Sequence, residues 1–303
     1  MKVYTNGQFN KDGGCVLALG SFDALHRAHI KLIDTAVCEA KKRAVKSGVH
    51  MFFGRIENVI FPNSNHKSIY TDKMRMDFAE QTGVDFVYFK SFDEEFMNIE
   101  PFDFAKMLKE KFGAVCVVAG YDYTFGRKGA ADVLELEKFG KILGFDVVVI
   151  DAIKYEGELV SSTKIRENIK NGDIKSANML LGRDYSLCAN VVSDRGVGRK
   201  MGVPTANLSV PGEILLAKNG VYGGYTVIDG KKYVCVINIG IRPTFELENI
   251  CVEVHIIDFD KDIYGRELCV YFKERIRDEK KFATKEELTL QILDDIDKAR
   301  KYF

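Results

Sequence analysis

Leu17 to His29 reads LALGSFDALHRAH, an apolar run that stops at Gly20 and is followed at once by Asp23, His26 and His29. The chain has five histidines, and two stand here. The stretch reads as strand, turn and helix. CVLAL is a buried strand, Gly20 permits a sharp exit, and the helix starts near Leu25, so that His26 and His29 share one face of its first turn. The free amides and positive dipole end of a helix N-terminus favour an anion. Imidazoles with a reference pKa near ~6.5 gain protons beside a polyphosphate. Three readings of the pair are open: a zinc site, which needs two further ligands and finds no cysteine or histidine cluster nearby, an incidental pair, or a triphosphate cradle.

Outward from this stretch, to about residue 160, apolar runs alternate with amphipathic segments. CVLAL precedes HIKLIDTAVCEAKKRAVKSG and VHMFF; TDKMRMDFAEQTG precedes VDFVYF; PFDFAKMLKEKFG precedes AVCVVAG; VLELEKFGKILG precedes FDVVVI. This order predicts a parallel sheet covered by helices, an α/β domain whose ligand crevice lies beyond the carboxyl ends of the strands. The loops Gly20 to His29 and Gly120 to Gly126 emerge there. A helical stretch, SSTKIRENIKNGDIKSANMLLG, closes the region.

After Gly182 the texture changes to short runs divided by glycine and proline: YSLCANVV, GVYGGYTVI, KYVCVINIG, CVEVHIID and ELCVYF. Such runs predict an antiparallel barrel or sandwich. The last segment, TKEELTLQILDDIDKARKYF, is an amphipathic helix opened by a capping box, Thr284 to Glu287. Two domains, 1–182 and 183–303, are therefore expected of 303 residues.

The bulk composition narrows the partners. Forty-four basic and 44 acidic residues cancel, which argues against nucleic acid held by a broad field, so any anionic ligand is gripped locally. No apolar run reaches the length of a membrane span and the N-terminus lacks a signal-peptide core. Seven widely spaced cysteines without a CxxC pair read as small buried hydrophobes in a reducing compartment. A cytoplasmic protein acting on small molecules is expected, with no nucleic-acid or membrane partner.

Three further stretches carry chemistry. VSSTKIR, Val160 to Arg166, opens a helix with hydroxyls at its cap and Lys164 and Arg166 in its first turn, either a plain serine cap or, since cations there oppose the dipole, a phosphate site. GYDYTFG, Gly120 to Gly126, crowds Asp122 and three aromatics into a loop that is otherwise only a packed turn. GVGRKMGVPTANL combines Gly196, Gly198 and Gly202, whose backbone can approach phosphate oxygens, with Arg199 and Lys200. Its Thr205 hydroxyl and Asn207 carbonyl are hard oxygen donors suited to magnesium. It lacks the Walker pattern, and a generic glycine-rich hairpin is the alternative.

In combination, GxFDxxHxxH, GxDxxFG and SSTxxR resemble the adenylyltransferase module of the prokaryotic bifunctional riboflavin kinase and FMN adenylyltransferase family, also called FAD synthetase. PTAN, NIGIRPTF, VEVHIIDF and the run IYGRELCVYFKERIRDEKKF resemble its kinase module. The resemblance covers residues 15 to 300. It implies a Rossmann-like nucleotidyltransferase domain followed by a six-stranded all-β barrel with a C-terminal helix, making FMN from riboflavin and ATP, then FAD and pyrophosphate from FMN and ATP. By the same resemblance, Gly20, Phe22, Asp23, His26, His29, Ser162, Thr163 and Arg166 bind ATP in the first module, with His26 and His29 stabilising the leaving pyrophosphate. Asp122 positions flavin or nucleotide; the Gly196–Gly202 loop cradles phosphate; Thr205 and Asn207 hold magnesium with ATP; and Glu253 accepts the ribityl hydroxyl proton. The chain departs from the family pattern at Ala24, Ala28, Ala189 and Asp194, where glycine is usual, and at Arg55-Ile56-Glu57, which replaces Pro-His-Pro. That last change keeps two alternatives in play: a riboflavin kinase alone, or a non-catalytic flavin-binding protein.

Overall fold

The computed structural model describes residues 1–5, 9, 13–193, 203–243 and 248–303. The chain divides into two compact units, Met1–Ser162 and Thr163–Phe303.

The first unit is a six-stranded sheet in the order β1-β4-β3-β2-β5-β6. Its strands are β1 (Lys2–Thr5), β2 (Cys15–Leu19), β3 (Lys46–Phe52), β4 (Phe86–Lys90), β5 (Ala114–Gly120) and β6 (Asp146–Ile150). Every pairing in it is parallel, as the alternating pattern predicts; a small antiparallel pair, β7 (Lys154–Tyr155) and β8 (Glu158–Leu159), follows it. The helices include α1 (Arg27–Arg43), α2 (Ile56–Ile60), α3 (Asp72–Glu80), α4 (Glu94–Met97), α5 (Pro101–Glu110) and α6 (Val133–Leu143). All five residues of β2 are buried because they alternate between two cores. Val16 and Ala18 pack with Leu32, Ile33 and Ala36 of α1. Leu17 and Leu19 pack with Phe104 and Leu108 of α5. Gly48 in β3 is obligatory: a Cβ there would stand 2.1 Å from the Phe86 ring.

The strand order reverses between β2 and β5, which pair Ala18 with Val118. Two neighbouring parallel strands thus send their loops off at one point on the carboxyl edge, the position at which such sheets bind ligands.

The second unit contains α7 (Ser162–Asn171, less its first residue), α8 (Ile174–Leu181) and a closed barrel, ordered β10-β13-β12-β11-β14-β9. The barrel strands are β9 (Ser186–Val192), β10 (Ala206–Ser209), β11 (Gly220–Ile228), β12 (Lys231–Pro243), β13 (Glu248–Ile256) and β14 (Glu267–Arg277). The sixth, β10, is the one the apolar pattern does not announce, since it has four residues inside PTANLS. Sequence texture divides the chain at Gly182, which is the left-handed cap of α8. Contacts divide it earlier, because α8 is tied to the barrel: Asn178 donates to the Phe272 carbonyl at 2.8 Å and accepts from the Tyr185 amide at 2.6 Å. The final helix, α9 (Lys285–Arg300), opens with the expected box; Thr284 accepts from Glu287 N, and Glu287 accepts from Ala283 N. Buried Asp295 pins it to β14 through both nitrogen edges of Arg277, at 2.7 to 3.1 Å.

One cysteine reading needs correction. Cys188 and Cys269 stand directly opposite on β9 and β14 and form a disulfide. They lie 81 residues apart, so the pairing is a product of strand register and has no local signature. Cys15, Cys116 and Cys235 are buried free thiols, as the apolar runs imply, and Cys38 is exposed.

His50 lies on the α5 side of the sheet between Gly48 and Phe52, ringed by Phe52, Tyr88, Phe96 and Phe112. Its Nε2 finds no partner among the described residues. Burial, with Lys111 and Lys90 nearby, holds its pKa down at about 3, against ~6.5 in an unfolded chain. Folded His50 stays neutral where the unfolded chain takes a proton. Its contribution is therefore fully present above ~6.5 and is lost as pH falls toward the folded value, with a slope of up to about 1.4 kcal/mol per pH unit. Urea unfolding of wild type and His50→Phe across that range should show a steeper acid loss in the wild type; parallel curves would contradict this.

Candidate active sites

The loop after β2 is built from strain and burial. Phe22 and Leu25 adopt left-handed φ values of 49° and 44°, and both side chains are fully buried. Bulky residues adopt such a backbone only where the surroundings enforce it. At Gly20 a Cβ would stand 3.2 Å from the Phe22 ring, a tight contact at the turn. The helix then begins at Arg27, two residues later than the sequence reading puts it. His26 is its N-cap and its Nδ1 accepts from the His29 amide at 3.3 Å. The two imidazoles do come together, stacked 3.7 Å apart and 13° from parallel, but as cap and first-turn residue rather than as two positions on one helical face. Acceptance at Nδ1 leaves Nε2 as the proton-bearing nitrogen of neutral His26. No acidic residue occupies the first turn of α1, so its dipole is uncompensated at that end. Among the described residues no cluster of three metal-binding His, Cys, Asp or Glu exists.

Asp23 is buried in the same loop. Its Oδ1 accepts from the Ile69 amide at 3.3 Å and its Oδ2 from Arg55 Nη1 at 2.9 Å. Burial raises its pKa, while Arg55, Arg75, the Ile69 amide and His26 pull the other way. Arg55 also binds Glu57. The departure Arg55-Ile56-Glu57 thus has a structural role, in which the new arginine grips the acid of the SFD turn. Neither this pairing nor the function of Arg75 is legible in the sequence, since the partners lie 32 and 52 positions from Asp23 and no local pattern links them.

The GYDYTFG loop leaves β5, the neighbour of β2. It is a tightly packed turn: Phe125 bridges Ala131 and stacks near Phe104 at 5.1 Å, and a Cβ on Gly126 would meet Pro101 at 2.7 Å. Asp122 is exposed on it. The VSSTKIR stretch does open a helix, α7, whose first residue is Ser162; Thr163 and Arg166 fall in the second compact unit. Lys164 is ion-paired with Glu167 at 3.3 Å.

In the barrel, register assembles a polar row. Glu253 on β13 stands opposite Asn207 on β10 and opposite Asn238 on β12. Its neighbours Val252 and Val254 are buried in the core, so by strand alternation the row lies on the outer face. His255 Nδ1 lies 2.9 Å from the Pro204 carbonyl, holding the PTAN segment to β13. Thr205 precedes β10, and its hydroxyl with the Asn207 carbonyl is a hard-oxygen donor set that fits magnesium shared with phosphate oxygens. Sequence reasoning quotes Asn238 as part of NIGIRPTF but gives it no role; only the ladder shows it flanking Glu253. The expected phosphate loop, Gly196, Gly198, Arg199, Lys200 and Gly202, lies outside the described residues, as does Asp194.

The histidine loop at the switch point of a parallel sheet and, on a separate barrel, a carboxylate flanked by two asparagines form two distinct candidate sites, and the comparisons make the chain a two-module transferase. Residues 8–164 match the FAD synthetase family and residues 181–303 the riboflavin kinase family. The chain is 32% identical over 296 residues to the bifunctional riboflavin kinase/FMN adenylyltransferase of Bacillus subtilis, covering 95% of this chain and 92% of that one. It is likewise 32% identical to the Escherichia coli K12 protein of the same name, covering 96% and 93%. A crystal structure described as a macrolide-efflux protein from Streptococcus pneumoniae matches with a TM-score of 0.92 at 28% identity, over 99% of both chains. Among the described residues here, no helix is long and apolar enough to cross a membrane. The chain belongs to the bifunctional riboflavin kinase/FMN adenylyltransferase family.

The side chains of Arg55 and Asp23 are only 8% and 4% exposed. Removing one partner of such a pair strands a buried charge, at about 3–5 kcal/mol. Arg55→Met should destabilise the protein by that order in urea unfolding, and adding Asp23→Asn should restore much of the loss. Additive effects in this double-mutant cycle would show that the pair is not coupled.

Proposed function

We propose that this chain makes FMN and FAD in succession. Riboflavin and ATP give FMN and ADP at the barrel, residues 183–303; FMN and ATP give FAD and pyrophosphate at the α/β module, residues 1–182. The observation that carries this reading is that each family match falls on a separate fold with its own polar constellation, the stacked His26–His29 pair in one and the Asn207–Glu253–Asn238 row in the other.

In the kinase step Glu253 orients the ribityl hydroxyl and takes its proton as the oxygen attacks the γ-phosphorus. The amides at Asn207 and Asn238 share its face and hold it in register. Thr205 and Asn207 would hold magnesium, which when bound neutralises charge on the transferred group. The loop Gly196, Gly198, Arg199, Lys200 and Gly202 is assigned to phosphate by motif.

In the adenylyl step the FMN phosphate is itself the nucleophile and attacks the α-phosphorus of ATP, so no base is required. The chain's task is alignment and stabilisation of charge on departing pyrophosphate. The dipole end of α1, which no first-turn acid offsets, the Nε2–H of His26 and the His29 ring supply that, beside Gly20, Phe22 and Asp23. Ser162, Thr163 and Arg166 are assigned to ATP, and Asp122 to flavin or nucleotide positioning, by motif. With ATP and flavins as substrates, the cytoplasm is the compartment that supplies them.

Purified protein given riboflavin, ATP and magnesium should form FMN first and FAD after it by chromatography; FMN accumulating without FAD would reduce the reading to a kinase alone, and no product would leave a flavin-binding protein. The double change His26→Ala, His29→Ala should cut FAD formation about 10²-fold or more and spare FMN formation. Loss of both in folded protein would sink the modular assignment. Glu253→Gln should lower kinase kcat by about 10²-fold or more while supplied FMN is still adenylylated; unchanged phosphorylation would remove Glu253 as the base.

A further inference from the structure

Among the described residues, Arg75 in α3 is the largest fully buried side chain, at 1% exposure. A guanidinium so buried must spend its donors on acceptors. Its Nε donates to the Phe22 carbonyl at 3.2 Å and its Nη2 to the Ser21 carbonyl at 2.9 Å. Its Nη1 donates to the Phe52 carbonyl at 2.8 Å and to Asp72 Oδ1 at 2.7 Å. Asp72 in turn accepts the Gly54 amide at 3.2 Å. The first two carbonyls belong to the strained turn that carries Asp23 and His26; Phe52 and Gly54 belong to the turn after β3 that carries Arg55. These turns leave adjacent parallel strands, with Leu19 beside His50, and Arg55 then reaches back to Asp23.

We infer that Arg75, which belongs to none of the site motifs, is a positioning residue for adenylyl transfer: its planar fork clamps the Ser21–Phe22 turn to the Phe52–Gly54 turn and so sets where His26 and Asp23 stand. Three features of the geometry support this role over plain core filling. All three bonded carbonyls lie at the carboxyl edge, on the last residue of β3 or in the turn just after β2. The turn they hold includes left-handed, buried Phe22, a backbone that needs external restraint. Finally, one nitrogen of a lysine cannot span three carbonyls on two segments, whereas a guanidinium with five donors can. The inference rests on the assignment of His26 and His29 to adenylyl transfer.

The test uses the full chain, with FAD formation from supplied FMN and FMN formation from riboflavin measured separately. Arg75→Lys keeps the charge and should lower kcat for adenylyl transfer at least about ten-fold, with KM for ATP and FMN little changed and the kinase step untouched. Asp72→Asn leaves the three carbonyl contacts in place and should cause a smaller fall of the same kind. An Arg75→Lys protein with wild-type adenylyl kcat overturns the inference, because charge alone would suffice. A variant that melts earlier while each folded molecule turns over normally also overturns it, since the role would then be stability only. If Arg75→Lys fails to fold, Asp72→Asn decides by the same kcat-against-KM criterion. FAD formation that survives loss of both histidines overturns the underlying site reading instead, and a wild type that yields no FAD from FMN overturns both.

Discussion

Three carbonyls at the ends of two neighbouring strands, those of Ser21, Phe22 and Phe52, converge on one buried guanidinium. Burying a cation is tolerable only when every donor finds an acceptor, and turns at strand ends are where carbonyls fall free of the ladder. Arg75 therefore joins a demand of its own to a demand of the backbone. The shape of the first site follows from that joint solution. With the turn held in its left-handed bend, the chain enters α1 at His26 instead of Leu25. The imidazole becomes a cap, its Nδ1 is committed to the His29 amide, and the ring stacks on its neighbour.

The barrel reaches the same end by register. Its closure depends on the four residues of β10, which pair β9 on one side and β13 on the other. Closure brings Asn207 against Glu253, and the longer β12–β13 ladder brings Asn238 to the opposite side of the same residue. A shift of one residue in either pairing would turn the row inward and put valines on the surface. The valine core thus protects the functional alignment. The same ladder logic sets Cys188 beside Cys269, a pairing unrelated to their spacing along the chain.

Much of this was legible before any fold was known, wherever function or structure is carried by neighbours in sequence. Continuous apolar runs alternating with amphipathic segments mark the parallel sheet and its helices; glycine-punctuated runs mark the antiparallel unit; Thr284 and Glu287 mark the last helix. The closeness of His26 and His29 was legible too, because they stand within one turn of each other. The exact start of α1 was not, since a left-handed Leu25 is imposed by packing and no residue type advertises it. β10 was hidden by its length, and the hold of α8 on the barrel was hidden by distance, because the Asn178 bond to the Phe272 carbonyl reaches 94 residues along the chain.

The order of residues alone determines which segments become strands and helices, and which short stretches gather histidines, hydroxyls and cations close together, because those properties depend on periodicity and on groups within a turn of each other. Tertiary structure alone decides the rest: that Arg55 closes on Asp23, that Arg75 anchors two turns, and that two asparagines flank Glu253. The physical reason is that a buried charge or a ladder partner is satisfied by whatever the fold brings within about 3 Å, and that proximity is a property of the packed chain, absent from its spacing.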